Sequence, residues 1–200
     1  MIYKPRRKSY NASVEYSDSD NIQTSLQGDE KAFERLVLQY QSQVAKLMWR
    51  FSRDPSTCER LVQDVFVEVY LSLKTYKARA PFVHWLNRIA TRVGYRHWKQ
   101  LARQKRFVPL DDADFAEIKQ QQKIDPAKAA EILHQLLAQL PNADRLVLTL
   151  VYFENCTMSE VAQRTGWTQA AAKMRAARAR KKLKKIAEKQ KIQEKLEWIQ

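Results

Sequence analysis

Glycine is nearly absent from this chain: only Gly28, Gly94 and Gly166 occur in 200 residues. An all-β fold needs more turn glycines than that, and no Gly-rich phosphate loop can be assembled from three scattered positions. Cysteine is as scarce. Cys58 and Cys156 stand alone, with no Cys-x-x-Cys and no histidine beside them, which argues against a metal site or a disulfide framework and for a reduced, cytoplasmic protein. No apolar run reaches the roughly 18 residues of a membrane span. The start, MIYKPRRKSY, lacks the apolar core of a signal peptide. The only histidines are His84, His97 and His134. His84 and His97 sit in a basic stretch without an acidic partner, and no nucleophile is placed beside them by local spacing, so nothing points to an enzyme or to a cofactor.

Positive charge is what the chain has in excess. Lys and Arg number 36 against 22 Asp and Glu, for a formal charge of +14. Clustered cations of this kind fit a polyanionic partner, nucleic acid before membrane. The charge is patterned. Arg79 to Arg106 holds eight basic and no acidic residues, and Lys173 to Lys195 holds eleven basic and two acidic. Between them, Phe107 to Ile118 carries Asp111, Asp112, Asp114 and Glu117 and no cation. Two basic blocks are therefore separated by an acidic connector, which reads as a solubilising linker.

Helical periodicity runs along most of the chain and predicts an all-α fold. Residues 1–25 are polar and read as a flexible basic arm. Phe33, Leu36, Val37, Tyr40, Val44, Leu47, Met48 and Phe51 keep one face of a first helix beginning near Asp29. Asp54-Pro55 breaks it and suits the start of a second, with Leu61, Val65, Val69 and Leu73 in line to about Tyr76. A third helix runs from Pro81 to about Gln104. Residues 107–125 are acidic, Gln-rich and aperiodic. Beyond Asp125-Pro126 come helices near 127–140, 142–154, 157–165 and 168–197. The expected layout is two small helical domains, 26–106 and 126–187, joined by a flexible acidic linker over 107–125. Residues 188–200 form a helical extension. Within it Ile192, Leu196 and Ile199 make a short apolar face that either folds back or docks a regulator.

Two segments carry chemistry. In Thr157–Lys185, Thr157 and Glu160 form a capping box, Gly166 suits a left-handed C-cap, and Thr168 caps a longer helix. Ala172, Ala176, Ala179 and Leu183 make one face apolar; the rest is basic. A short helix, a glycine turn and a basic second helix make a helix-turn-helix, whose second helix is shaped for a DNA major groove. In the third helix, Phe82, Leu86, Ile89 and Val93 form a core stripe. Trp85, Arg88, Arg92, Tyr95 and Lys99 flank it. Rings interleaved with cations suit single-stranded nucleic acid; the alternative is that Trp85 and Trp98 are half-buried packing residues.

Taken in order, these segments resemble bacterial sigma factors of the extracytoplasmic-function (ECF) group. GDEKAFERLVLQYQSQVAKLMWRF, CERLVQDVFVEVYLSLKTY and APFVHWLNRIATRVGYRHWKQLARQKR are similar to the family's second conserved region. LPNADRLVLTLVYFENCTMSEVAQRTGWTQAAAKMRAARARKKL is similar to its fourth. The resemblance covers roughly residues 27–187 and implies a non-enzymatic factor that binds core RNA polymerase, brings it to promoters and helps melt the −10 element. It implies that Gln63, Asp64, Val67 and Glu68 face the clamp helices of the polymerase β′ subunit. It places Trp85, Arg88, Arg92, Tyr95, Arg96 and Lys99 on the −10 non-template strand. It places Thr168, Gln169, Lys173, Arg175 and Arg178 at the −35 element, near the β flap. Promoter DNA and core polymerase are the implied partners, and an anti-sigma factor is a further candidate. The chain departs from the common family pattern at Arg92 and Arg96, at Gly94, at Ala170 and Ala171, and at Asn155. The nearest rival reading is a stand-alone helix-turn-helix regulator, which leaves LVQDVF and the Trp/Arg helix unexplained. An RNA-binding module would use the aromatics, but the helix-turn-helix argues for duplex DNA.

Overall fold

The structure, a computed structural model, describes residues 17–105 and 126–189. Every regular element among the described residues is helical. They are α1 (Asp18–Leu26), α2 (Glu30–Met48), α3 (Pro55–Ser72, tightened into a 3-10 turn over Leu73–Thr75), α4 (Phe82–Lys105), α5 (Pro126–Ala138), α6 (Asn142–Tyr152), α7 (Met158–Thr165) and α8 (Gln169–Lys189). The expected linker 107–125 and the tail face of Ile192, Leu196 and Ile199 lie outside the described residues.

The helix starts follow the side chains that precede them. Asp29 accepts from the Lys31 amide at 2.9 Å. Asp54 accepts from the Thr57 amide at 2.7 Å with Pro55 as first helical residue, and the Thr57 hydrogen bond holds the Asp54 carboxyl below its usual range. Thr157 and Glu160 close the reciprocal box expected of them, at 2.7 and 3.2 Å. Gly166 is left-handed at φ 79, and Asn155 is left-handed at φ 50 just beyond α6.

One expectation is corrected. Of the arm expected over 1–25, residues 18–25 belong to the helix α1, and its residues 1–16 lie outside the described residues. Its cause is polar and partly remote. Ser17 and Asp20 cap each other, Arg35 donates to Asn21 at 2.7 Å, and Gln39 donates to Asp18 at 3.0 Å. Ile22 is the one large apolar group it buries.

The helices α2, α3 and α4 share a core of Leu36, Val44, Leu47 and Met48, then Leu61, Val65 and Val69, then Phe82, Leu86, Ile89 and Val93. Each such side chain contributes about 1.5–3 kcal/mol on burial, so this face outweighs any helix propensity in the unit. Gly94 belongs to the same logic. Glycine costs roughly 1 kcal/mol inside a helix, but a Cβ here would overlap the Phe51 ring. That ring lies 4.6 Å from Trp98, whose indole N–H donates to the Phe51 carbonyl at 2.7 Å. Trp98 is therefore buried core rather than half-buried.

The second unit is built on smaller side chains. Leu146, Val147, Leu148 and Leu150 of α6 and Val161 of α7 receive α8 through Ala172, Ala176 and Ala179. Alanine on that face lets the α8 backbone approach closely. Asp144, only 3% exposed, ties α6 to α8 through Arg175 at 3.1 Å and Lys182 at 2.6 Å.

The two units are in contact through α4, which packs against α6 and α7. The Asn142 amide donates to the Trp98 carbonyl at 3.1 Å, and the Arg145 guanidinium lies 3.9 Å from the Trp98 ring centroid. Arg50 pairs with Glu154 at 3.2 Å and covers Phe153. Among the described residues no helix is long and apolar enough to cross a membrane.

Candidate nucleic-acid and polymerase surfaces

On α4 the flank stripe divides by what each cation meets. Arg88 and Arg92 are exposed. Trp85 is half-buried at the edge of an aromatic cluster, 5.5 Å from Tyr76 and 5.6 Å from Phe82, so one ring face is structural. Tyr95 is half-buried; burial pushes its phenol up and keeps it neutral, and Lys99 sits 4.7 Å over its ring. Arg96 pairs with Glu68 of α3. A residue expected on DNA and a residue expected on the polymerase are thus each other's partner. Arg92 and Tyr95 also line a shallow cleft with Leu146, Arg164, Thr165 and Trp167 of the second unit.

On α3, Gln63 and Val67 are exposed, while Asp64 pairs with Arg60 one turn back at 3.3 Å. The same face continues through Tyr70 and Leu71, 55% and 68% exposed, which sequence reasoning had not included. The signal was present. Val67 and Leu71 are four apart and lie off the line of Leu61, Val65, Val69 and Leu73, so α3 has two apolar faces and the fold uses one. Phe33 of α2 meets Tyr70 edge-on at 5.0 Å and supports it. Val67, Tyr70 and Leu71 thus form an exposed apolar strip beside Asp64 on the side of α3 turned away from the core.

On α8, Gln169, Lys173 and Arg178 are exposed. The Thr168 hydroxyl accepts from the Ala171 amide at 3.1 Å and is occupied as a cap. Arg175 is half-exposed on the flank of the helix: it holds Asp144 and lies 4.9 Å from the Trp167 ring. Its neighbour Met174 faces out and is 56% exposed, another residue missed from sequence.

The histidines do not converge. His84 is exposed, His97 is buried on the same helix, and His134 of α5 meets the Arg145 guanidinium at 3.1 Å. Burial, with Arg145 and Arg53 nearby, lowers His134 to about 4, so it is neutral at pH 7 and accepts from Arg145. Among the described residues no group of His, Cys, Asp and Glu is placed to hold a metal ion.

Comparison with known proteins places this geometry. Residues 36–104 match the family described as Sigma-70 region 2, and residues 130–183 match Sigma-70, region 4. The RNA polymerase sigma-H factor of Pseudomonas aeruginosa is 31% identical over 157 residues, covering 72% of this chain and 80% of that protein. The ECF RNA polymerase sigma factor SigF of Caulobacter vibrioides is 31% identical over 160 residues, covering 79% and 87%. The ECF RNA polymerase sigma-E factor of Escherichia coli is 27% identical over 163 residues, covering 75% and 83%. Two solved structures share the fold. CnrH, in complex with the cytosolic domain of CnrY, has a TM-score of 0.58 at 22% identity, covering 86% of this chain and 97% of that one. The sigma factor RpoE, bound to the anti-sigma factor NepR from Bartonella quintana, has a TM-score of 0.57 at 18% identity, covering 79% and 98%.

Proposed function

The chain belongs to the sigma-70 family, as a sigma factor of the ECF group that directs RNA polymerase to promoters, and from that premise we propose a division of labour among its three surfaces. The α3 face docks on the β′ clamp helices. Gln63, Asp64 and Val67 are joined there by Tyr70 and Leu71, and Glu68 acts mainly by holding Arg96. The α4 flank holds the non-template strand of the −10 element through Trp85, Arg88, Arg92, Tyr95 and Lys99, stacking rings on bases and placing cations on phosphates. The α8 face enters the −35 major groove with Gln169, Lys173 and Arg178, near the β flap. Thr168 and Arg175 position that helix instead of touching bases. Residues 26–106, extended at the front by α1, and 126–187 are the corresponding units, and the factor works in the cytoplasm without catalysis of its own.

Two further points follow. The two elements lie about 25 base pairs, or roughly 85 Å, apart. A compact chain of this length has a radius of gyration of only about 16 Å. Engaging both elements therefore requires α4 to part from α6 and α7. The structural neighbours CnrH and RpoE were solved with CnrY and the anti-sigma factor NepR. By analogy, an anti-sigma factor is proposed to hold this chain inactive.

The observation that carries the proposal is the exposed α3 patch of Val67, Tyr70 and Leu71 beside Asp64, which lies outside the helix-turn-helix that a stand-alone DNA-binding regulator would use. Gel filtration with core polymerase and run-off transcription on genomic fragments test it. Wild-type protein comigrates and yields discrete transcripts, whereas Leu71→Asp and Asp64→Arg lose comigration. Tight duplex binding by the protein alone, with no transcripts, favours the stand-alone regulator.

A further inference from the structure

Met174 is out of place by ordinary packing rules. It is among the few large apolar side chains left exposed, on a helix whose other long outward groups are charged or polar. At about 100° per residue, it lies opposite the buried line of Ala172, Ala176 and Ala179, at the crown of α8. Ala170 and Ala177 flank it along the crown and leave it clear, and Lys173 and Arg178 stand on either side. A free chain gains nothing from an unburied thioether there. The cations around it select a polyanion as what covers the crown.

Among groups on the major-groove edges of the bases, the C5-methyl of thymine is the apolar one; the others donate or accept hydrogen bonds. A flexible, polarisable side chain without donors and with only a weakly accepting sulfur is better suited to that methyl than to the polar groups of a base edge. We propose that Met174 reads a thymine methyl in the −35 element, and so sets base preference at one position that Lys173 and Arg178 do not read. The proposal rests on the assignment of α8 to that element.

The test removes one methyl at a time. Each thymine of the upstream element, in a promoter recovered by the run-off assay, is replaced by deoxyuridine, which leaves every hydrogen-bonding group in place. Holoenzyme formed with the full chain is titrated on each duplex. At one position the wild-type protein is expected to lose about fourfold in affinity, the worth of one buried methyl. Met174→Ala should bind thymine and deoxyuridine equally there. Met174→Leu and Lys173→Ala should keep the difference, which separates the methyl contact from a general loss of binding. The proposal is overturned if no deoxyuridine weakens wild-type binding, or if the penalty persists in Met174→Ala. Absence of any wild-type transcript contradicts the family-based assignment instead, and the proposal with it.

Discussion

The helices α4 and α8 are both long and basic, yet they are anchored in opposite ways. Helix α4 is sunk into the molecule on large side chains, from Phe82 and Leu86 to Trp98, and touches both units. Helix α8 rests on three alanines. Their cations differ accordingly. On α4, Arg96 is taken by Glu68, while Arg88 and Arg92 are exposed and Lys99, exposed as well, lies over the Tyr95 ring. On α8, Arg175 and Lys182 are spent on Asp144, while Lys173 and Arg178 remain open at the surface. Basic composition is common to both helices. The partner of each cation separates those that hold the fold from those left exposed.

The sharpest way to break the comparison is to weaken the deeper anchor. Leu86, fully buried, should cost about 2–5 kcal/mol when cut to alanine. Urea unfolding monitored by tryptophan fluorescence would register it. Lys173→Ala on the outer face of α8 should leave the midpoint unchanged. Gly94→Ala probes the same anchor against helix propensity. Propensity alone favours alanine by roughly 1 kcal/mol, but the overlap with Phe51, costing about 1–3 kcal/mol, should reverse the sign, for a net loss of up to about 2 kcal/mol. Adding Phe51→Leu should recover part of that loss. An unchanged or higher melting temperature in Gly94→Ala would show that α4 is less tightly seated than its neighbours imply.

A smaller effect tests the seam between the units. His134 is held neutral at about 4, below the ordinary 6.5 of an unfolded chain. Between those values the unfolded chain takes up a proton that the folded one refuses, so stability is complete above about pH 6.5 and falls as pH drops toward 4. Because the ring is only partly shielded, the loss from pH 7 to pH 5 should stay below about 1 kcal/mol. Thermal melts at the two values, with His134→Gln flattening the difference, would check it.

Much of this was legible in the chain because helix ends are local. Asp54-Pro55, the Thr157/Glu160 box and Gly166 act within four residues, and the structure places the boundaries where they point. The core stripe of α4 was legible for the same reason: one period decides one face. What escaped depended on partners far along the chain. Helix α1 needs Arg35 for Asn21, Arg96 needs Glu68, and Arg175 needs Asp144. Periodicity tells which way a side chain points, not which opposite charge waits there. Met174 and Leu71 were recoverable, since each falls off the buried line of its helix.

The division between the two helices is tested most directly by transcription from matched duplex and pre-opened templates. Helix α4 is assigned to the unpaired strand, so Arg88→Ala with Arg92→Ala should depress initiation on the duplex. A template with the −10 region already unpaired should restore much of it. Lys173→Ala with Arg178→Ala should depress initiation on both templates, by about 1–3 kcal/mol per lost base contact. Equal rescue of both variants by the open template, or rescue of neither, would contradict the account.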